Sequence, residues 1–385
     1  MNSNIYEHKS TPRWSSDAER FRSFGQAIDQ IRDQAKARVG EEDLVRVRRL
    51  DRFSRACEVV GRALIAVGPG PVAFGAGVLS LWVHKQLQAT EIGHTALHGA
   101  YNQLEGAGRF HSRRFRWQIP IDEASWIRGH NGKHHGLTNV ADVDPDIEFG
   151  PVRLTTDAPH RPRHYFQLPF TLFVLFPAFG ALMNLHFTGA TDFIHGRVPR
   201  TWSAARLAAG RTLRKYLPYY GKELLLLPAL AAGMGALVYG PLLAPWIFAR
   251  AAAGSLASEL LRDLYSAATI FCGHVGEDTA HYAEGTRPRS KGERYAMQVE
   301  ASNNFSVPRP LSVLCGGLDL QIEHHLFPTL APERLREIAP AVRAAAREHG
   351  VDYRCASWPR TLAMALAQVA RLSFVQPEEL AGAKS

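Results

Sequence analysis

Residues 129–146 read GHNGKHHGLTNVADVDPD, and the placement of histidines in this stretch decides how the rest of the chain is to be folded. His130, His134 and His135 form H-x-x-x-H-H. On an α-helix the i, i+4 pair shares one face, while the adjacent His135 points about 100° away. Such a helix can serve two metal ions at once. Two more clusters accompany it. TEIGHTALHG (90–99) carries His94 and His98 at i, i+4, and GGLDLQIEHHLFP (316–328) carries Gln321, His324 and His325 as Q-x-x-H-H. One H-x-x-x-H arises readily by chance; three clusters, the first at the foot of an apolar stretch, mark a metal site. The scattered His8, His84, His111, His160, His164, His195 and His349 read instead as surface or hydrogen-bonded core residues.

The apolar stretches around these clusters set the architecture. Val59–His84 is broken by Gly68-Pro69-Gly70-Pro71 and reads as a helix hairpin whose second arm runs on towards His94. Leu224–Leu243, closed by Gly240-Pro241, and Pro245–Phe271 form a second hairpin. A bilayer span needs about 20 mostly apolar residues. Arg250, Glu259, Arg262 and Asp263 lie within the last stretch, and charges at membrane depth face a bundle interior or cavity. Glu259 and Arg262, at i, i+3, are placed to pair. Lys and Arg gather in 32–55, 109–214 and 287–347, whereas the two Gly-Pro breaks carry none, so the long polar segments are expected in the cytosol. A third apolar stretch, Phe166–Leu185, cannot cross if all the histidines meet, because an odd crossing would put His324 on the opposite side from His94. Pro169 and Pro177 interrupt it, which fits an interfacial or re-entrant segment. The expected fold is therefore an all-α integral membrane protein, with four transmembrane helices in two hairpins and a cytosolic helical cap holding the metal site.

Bulk properties agree. The 385 residues are 46% apolar with a net charge of +9. The mean hydropathy is slightly negative, which leaves large polar segments outside the bilayer. A basic balance suits nucleic acid, anionic membrane or anionic substrate; the apolar stretches select the membrane and argue against nucleic acid. Cys57, Cys272, Cys315 and Cys355 are scattered with no C-x-x-C, so neither a disulfide framework nor a thiolate zinc site is expected. The N-terminal residues carry no apolar signal core and contain an amphipathic stretch near Phe21–Ile31. Pro332–His349 has the period of a soluble amphipathic helix covering the cytosolic side.

The clusters are rich in imidazole and poor in thiolate, which suits Zn, Cu, Fe or Ni and argues against Mg or Ca. Seven cluster histidines exceed what one zinc ion takes, so two metals are expected. A redox pair beside a membrane points to oxygen chemistry on a lipid, since side chains alone cannot oxidise an unactivated methylene. Glu91, one turn before His94, and Asp142, Asp144 and Asp146 after the second cluster are candidates to hold ligand imidazoles by hydrogen bonds.

The order and spacing of TEIGHTALHG, GHNGKHHGLTNVADVDPD and GGLDLQIEHHLFP resemble the three histidine boxes of the membrane fatty acid desaturases, and the likeness runs from about residue 60 to 355. The third box, QIEHH, resembles that of bacterial acyl-CoA and acyl-lipid desaturases and of front-end desaturases. The resemblance implies residues 57–355 as the desaturase domain, 1–56 as a cytosolic N-terminal segment and 356–385 as a C-terminal helix and tail. It implies two iron ions, O2 as co-substrate, and His94, His98, His130, His134, His135, His324 and His325 as iron ligands. His274, in FCGHVGED at the end of the last span, matches a further family ligand; His281 matches less clearly. Gln321 stands where many relatives have histidine, and Gln298 and Asn303 match polar positions before the third box. His186 reads as interfacial and structural. The implied activity is O2-dependent insertion of a double bond into a fatty acyl chain carried on CoA, carrier protein or phospholipid, with a hydroxylase on the same scaffold as the alternative. The sequence holds no HPGG heme segment, so a separate donor such as ferredoxin or cytochrome b5 with its reductase is expected, docking on the basic cytosolic face. The implied location is the bacterial inner membrane, with the active site towards the cytoplasm.

Overall fold

The computed structural model describes residues 16–376 apart from 142, 150 and 277. Among the described residues the structure is mostly helical, and strands are confined to two small pairs. Ser16 caps the first helix, α1 (Asp17–Ala37), by accepting from the Glu19 amide. The amphipathic stretch expected near Phe21–Ile31 lies inside it. Phe24 and Ile28 are fully buried in one cluster with Ile322, Leu335, Ile338 and Val342, so α1 packs against the cap.

The first hairpin joins α2 (Glu41–Val67) to α3 (Gly70–Ala89). Gly70 turns the chain at φ +69°, a conformation that side-chain-bearing residues avoid. The two helices approach closely because glycines face each other. A Cβ on Gly61 would sit 2.7 Å from the Leu81 nitrogen, and one on Gly77 would sit 2.8 Å from that of Ile65. The second hairpin joins α4 (Trp202–Tyr239) to α5 (Ala244–His274). Between the hairpins, Pro162–Leu175 and Phe179–Phe187 meet at a bend of 114°, at the break that contains Pro177. The interrupted geometry expected of Phe166–Leu185 is present.

By length and apolarity alone, α4 qualifies as a membrane span, and the bent pair would be a second if counted as one. The other three hairpin helices do not meet that measure, and each has charged side chains built into it. Lys85 of α3 lies between Glu223 Oε2 of α4 at 2.7 Å and Glu259 Oε1 of α5 at 2.5 Å. Arg62 of α2 reaches Glu223 at 3.0 Å, and Arg262 closes on Glu259 at 2.6 Å, the i, i+3 pair expected from spacing. Tyr219 also donates to Glu259. All four hairpin helices thus meet at one buried ionic knot, its members facing each other and not the outside. The outward faces carry apolar side chains such as Val72, Leu230 and Leu237, the last 89% exposed.

On the side where α3 and α5 end, α6 (Lys291–Glu300), α7 (Gln321–Leu326) and α8 (Pro332–Glu348) form the cap. A parallel pair of strands, β1 (Asn303–Ser306) and β2 (Arg354–Ser357), ties the segment before α7 to the one after α8, in register Asn303 to Arg354. Finally, α9 (Trp358–Arg371) lies along α5, with Ala365 and Val369 fully buried.

Candidate metal centre and acyl cavity

Two widened turns shape the site. Thr90–His94 continues α3 as a π-helix, and Ile127–His134 is a second π-helix. Such turns are rare and concentrate at functional sites. Where the first ladder widens, Trp117 Nε1 donates to the Ala89 carbonyl at 3.0 Å. The second turn corrects the α-helical expectation for His135. Its amide bonds back to the His130 carbonyl, five residues earlier, at 3.0 Å. The π-turn therefore folds His135 towards His130, their Nε2 atoms 3.1 Å apart, instead of away from it. His134 stays beside His130 as well, their rings stacked with centroids 5.0 Å apart.

The imidazoles assemble into two groups. His94, His98, His130 and His324 bring one nitrogen each to within 4.8 Å of one another; His134, His274 and His325 do the same. His135 lies between, its ring stacked on His325 with centroids 4.2 Å apart. Three helix ends and the second cluster's π-turn deliver these side chains, which is why residues 230 positions apart in sequence (His94 and His324) share one group. His274, placed at the last turn of α5, sits 3.3 Å from His134 through their Nε2 atoms. His281 belongs to neither group.

Polar neighbours fix the ring orientations. Asp144 takes His134 Nδ1 at 2.9 Å and is itself fastened by the amides of Asn139 at 2.8 Å and Asp146 at 2.9 Å. Gln298 Oε1 and Thr138 Oγ1 lie 3.0 and 2.9 Å from His325 Nδ1. The Ala301 carbonyl lies 3.2 Å from His274 Nδ1. Asp146 faces His186 at 3.0 Å and also stands within 4.8 Å of His130 and His134. Gln321 Nε2 lies 2.7 Å from His274 Nε2 and 3.3 Å from His325 Nε2, while its Oε1 is buried with no partner among the described residues.

Other candidates go elsewhere. Glu91 pairs with Arg336 of α8 at 3.3 Å, so it ties the cap to the π-turn instead of holding an imidazole. Asn303 donates to Thr279 at 2.8 Å and braces the loop after α5. Asp142 lies outside the described residues. Sequence reasoning passed over Thr138, four residues after His134, and Glu323, within the third cluster. Glu323 is held by Asn304 at 2.8 Å and Tyr353 at 2.9 Å, and burial pushes its carboxyl up to about 7. A polar residue inside a histidine cluster was the available signal.

Burial, reinforced by the neighbouring imidazoles, holds His130, His135, His324 and His325 well below the ordinary histidine range, which is the neutral, ligating form. Burial also works to lower His134, but the Asp144 carboxylate and its hydrogen bond carry it up to about 9. The donor set fits metal ions. Seven buried nitrogens converge in two groups, and His324 Nε2 has no hydrogen-bond partner among the described residues. An all-imidazole set with one amide suits a transition metal.

These groups open on an apolar cavity of about 120 Å³. His94, His130, His134 and His274 form part of its wall, and Trp117, Ile119, Ile121, Phe179, Met183 and Ile270 contribute apolar surface. The Arg262–Asp263 pair also lines it, twelve residues up α5 from His274, or roughly 18 Å at helical rise.

A helical scaffold, clustered imidazoles that could hold metal and an apolar cavity beside them suit an oxidoreductase. The comparisons give the family: the fatty acid desaturase model matches residues 69–357, and the chain belongs to that family. It is 28% identical over 338 residues to the NADPH-dependent stearoyl-CoA 9-desaturase of Mycobacterium tuberculosis, an alignment covering 86% of this chain and 75% of that protein. It is 29% identical over 239 residues to the acyl-lipid 8-desaturase of Rebecca salina, covering 60% and 46% of the two chains. It is 22% identical over 269 residues to the sn-1 linoleoyl-lipid 6-desaturase of a Synechocystis strain, covering 68% and 70%. No solved structure matches.

Proposed function

We propose that this protein is a membrane-embedded acyl desaturase that uses two irons and O2 to convert a –CH2–CH2– unit of a fatty acyl chain to –CH=CH–. The observation that carries the proposal is the placement of both imidazole groups on the wall of one apolar cavity. His94, His98, His130 and His324 would hold one iron, and His134, His274 and His325 the other. His135 stands between them, and the Gln321 amide, whose Oε1 would face His274 and His325 after a half-turn of its terminal bond, would add an oxygen donor to the second set. When bound, the metal pair supplies the one-electron chemistry with O2 that breaking unactivated C–H bonds requires. The whole reaction balances as one acyl –CH2–CH2–, O2, two electrons and two protons giving –CH=CH– and two water molecules.

The chain's own residues do the rest. Asp144, Gln298 and Thr138 hold His134 and His325 at fixed angles. The apolar wall keeps water from the reacting carbons and aligns the chain. Asp144→Asn removes the charge behind His134 and is expected to weaken metal binding by about 10- to 100-fold. Iron titration of purified protein checks this; unchanged affinity would mean that His134 needs no such support.

In this reading α2, α3, α4 and α5 cross the bilayer as two hairpins, with residues 57–355 as the catalytic domain and the histidines towards the cytoplasm. Support comes from the exposed apolar side chains on the hairpin helices and from the internal pairing of their charges. The bent pair with Phe179–Phe187 then dips in and returns, leaving all three clusters on one side. The stearoyl-CoA and acyl-lipid specificities named for the relatives make a CoA thioester or a membrane lipid the substrate classes to test. The NADPH dependence of the mycobacterial relative fits an electron supply that starts at NADPH and arrives through a separate carrier protein.

Gas chromatography–mass spectrometry of lipids from expressing cells tests the reaction. A new chain lighter by two hydrogens is expected. A chain heavier by one oxygen selects the hydroxylase alternative, which uses the same ligands. Lipids unchanged in cells holding folded, iron-loaded protein and a competent donor defeat both.

A further inference from the structure

Among the described residues, His281 is a polar side chain on the cavity wall that the metal groups do not use. It sits in the loop between α5 and α6. Its backbone is fixed on both sides: the Ala280 amide bonds to the Glu300 carbonyl at 2.9 Å, and Tyr282 exchanges hydrogen bonds with Asn139 at 2.9 Å and Ala141 at 3.0 Å. The loop is thereby fastened to the second histidine cluster and to the end of α6. The imidazole is pointed by a rigid frame, yet both its nitrogens are buried and neither has a partner among the described residues.

That combination is unusual. Buried polar groups in folded proteins are nearly always paired, because desolvation without a hydrogen bond is strongly disfavoured. Two other polar residues of the same wall are already committed. The Asn139 amide donates to the Ala280 carbonyl at 3.0 Å, and Asp146 faces His186 at 3.0 Å. Burial lowers the His281 pKa against the pull of Asp157 and Asp144, which leaves a neutral ring with one N–H to donate. An apolar chain cannot accept that hydrogen bond. The acyl group itself has one atom that can: the carbonyl oxygen of its ester or thioester link.

We propose that His281 donates a hydrogen bond to the carbonyl oxygen of the bound acyl group and thereby sets how far the chain enters the cavity. A chain hooked at His281 would pass the two imidazole groups and run towards the Arg262–Asp263 pair. The carbons lying at the groups are then fixed by their count from the carbonyl. His281 is a positioning residue of the reaction, and its role rests on the desaturase reading above.

The test compares wild type, His281→Phe and His281→Gln in expressing cells. Double bonds are located by mass spectrometry of dimethyl disulfide adducts, and iron per chain is measured on purified protein. The phenylalanine variant is expected to keep wild-type iron, make about tenfold less product, and spread the double bond over neighbouring positions. The glutamine variant, which keeps a donor, is expected to return to one position. Iron lost from a folded phenylalanine variant would make His281 a metal ligand and overturn the proposal. So would wild-type yield at a single position. If His281→Phe fails to accumulate, His281→Asn decides, since its shorter amide should shift the double bond; an unshifted bond overturns the proposal. Purified holoenzyme with ferredoxin and its reductase is then given stearoyl-CoA on one arm and stearoyl phosphatidylglycerol vesicles on the other. A higher KM in the phenylalanine variant on either arm supports the hook and assigns its carbonyl, whereas no change on both arms overturns it. Wild-type cells that make no new double bond would defeat the desaturase reading itself, before any variant is compared.

Discussion

His134→Ala is expected to abolish both iron binding at the second imidazole group and the formation of unsaturated chains. His134 is buried at the convergence of that group, 3.3 Å from His274 through their Nε2 atoms. Its other nitrogen is held by Asp144 at 2.9 Å. Loss of a supporting partner alone weakens metal sites by about 10- to 100-fold, so loss of the nitrogen itself should exceed that. Alanine also leaves Asp144 as an uncompensated buried carboxylate. Elemental analysis of purified variant should find no more than half of the wild-type iron, and fatty-acid profiling should find no product. Wild-type iron and product in this variant would remove His134 from the centre.

Lys85→Ala is expected to destabilise the fold by about 3–5 kcal/mol, the usual effect of removing one partner from a buried ion pair. Its ammonium is 3% exposed and bridges Glu223 and Glu259, which belong to different helices of the second hairpin. Without it two carboxylates approach one another at depth, with Arg62 and Lys222 left on Glu223 and Arg262 and Tyr219 left on Glu259. Thermal unfolding in detergent measures the effect. Lys85→Met combined with Glu259→Gln should recover part of the loss, because it removes charge from both sides of one contact. A melting temperature unmoved by Lys85→Ala would mean that the knot does not hold the hairpins together.

Much of this arrangement was legible in the sequence, for particular reasons. The Gly-Pro breaks at 68–71 and 240–241 place both hairpin turns because glycine and proline end helices on local grounds. Pro177 foretold the interruption of Phe166–Leu185, and the parity of crossings gave it a purpose. The i, i+3 spacing of Glu259 and Arg262 gave their pairing, but not Lys85, whose partners lie on two other helices. Histidine spacing identified the clusters and missed how they divide. The π-turn at Ile127–His134 changes which imidazoles converge, and no residue pattern distinguishes it from an α-turn beforehand. Glu91 looked like support for His94 by spacing, yet Arg336, 245 positions later, captures it. The packing of α1 under the cap was equally hidden, since an amphipathic stretch names its apolar face and not what that face meets.

The central claim is that two metals sit in the two imidazole groups. Anomalous scattering at the iron edge, on crystals of protein purified with its metal, tests it most directly. Two iron peaks are expected, one among His94, His98, His130 and His324 and the other among His134, His274 and His325. A single peak, or peaks that respond at the zinc edge and not at the iron edge, would contradict it.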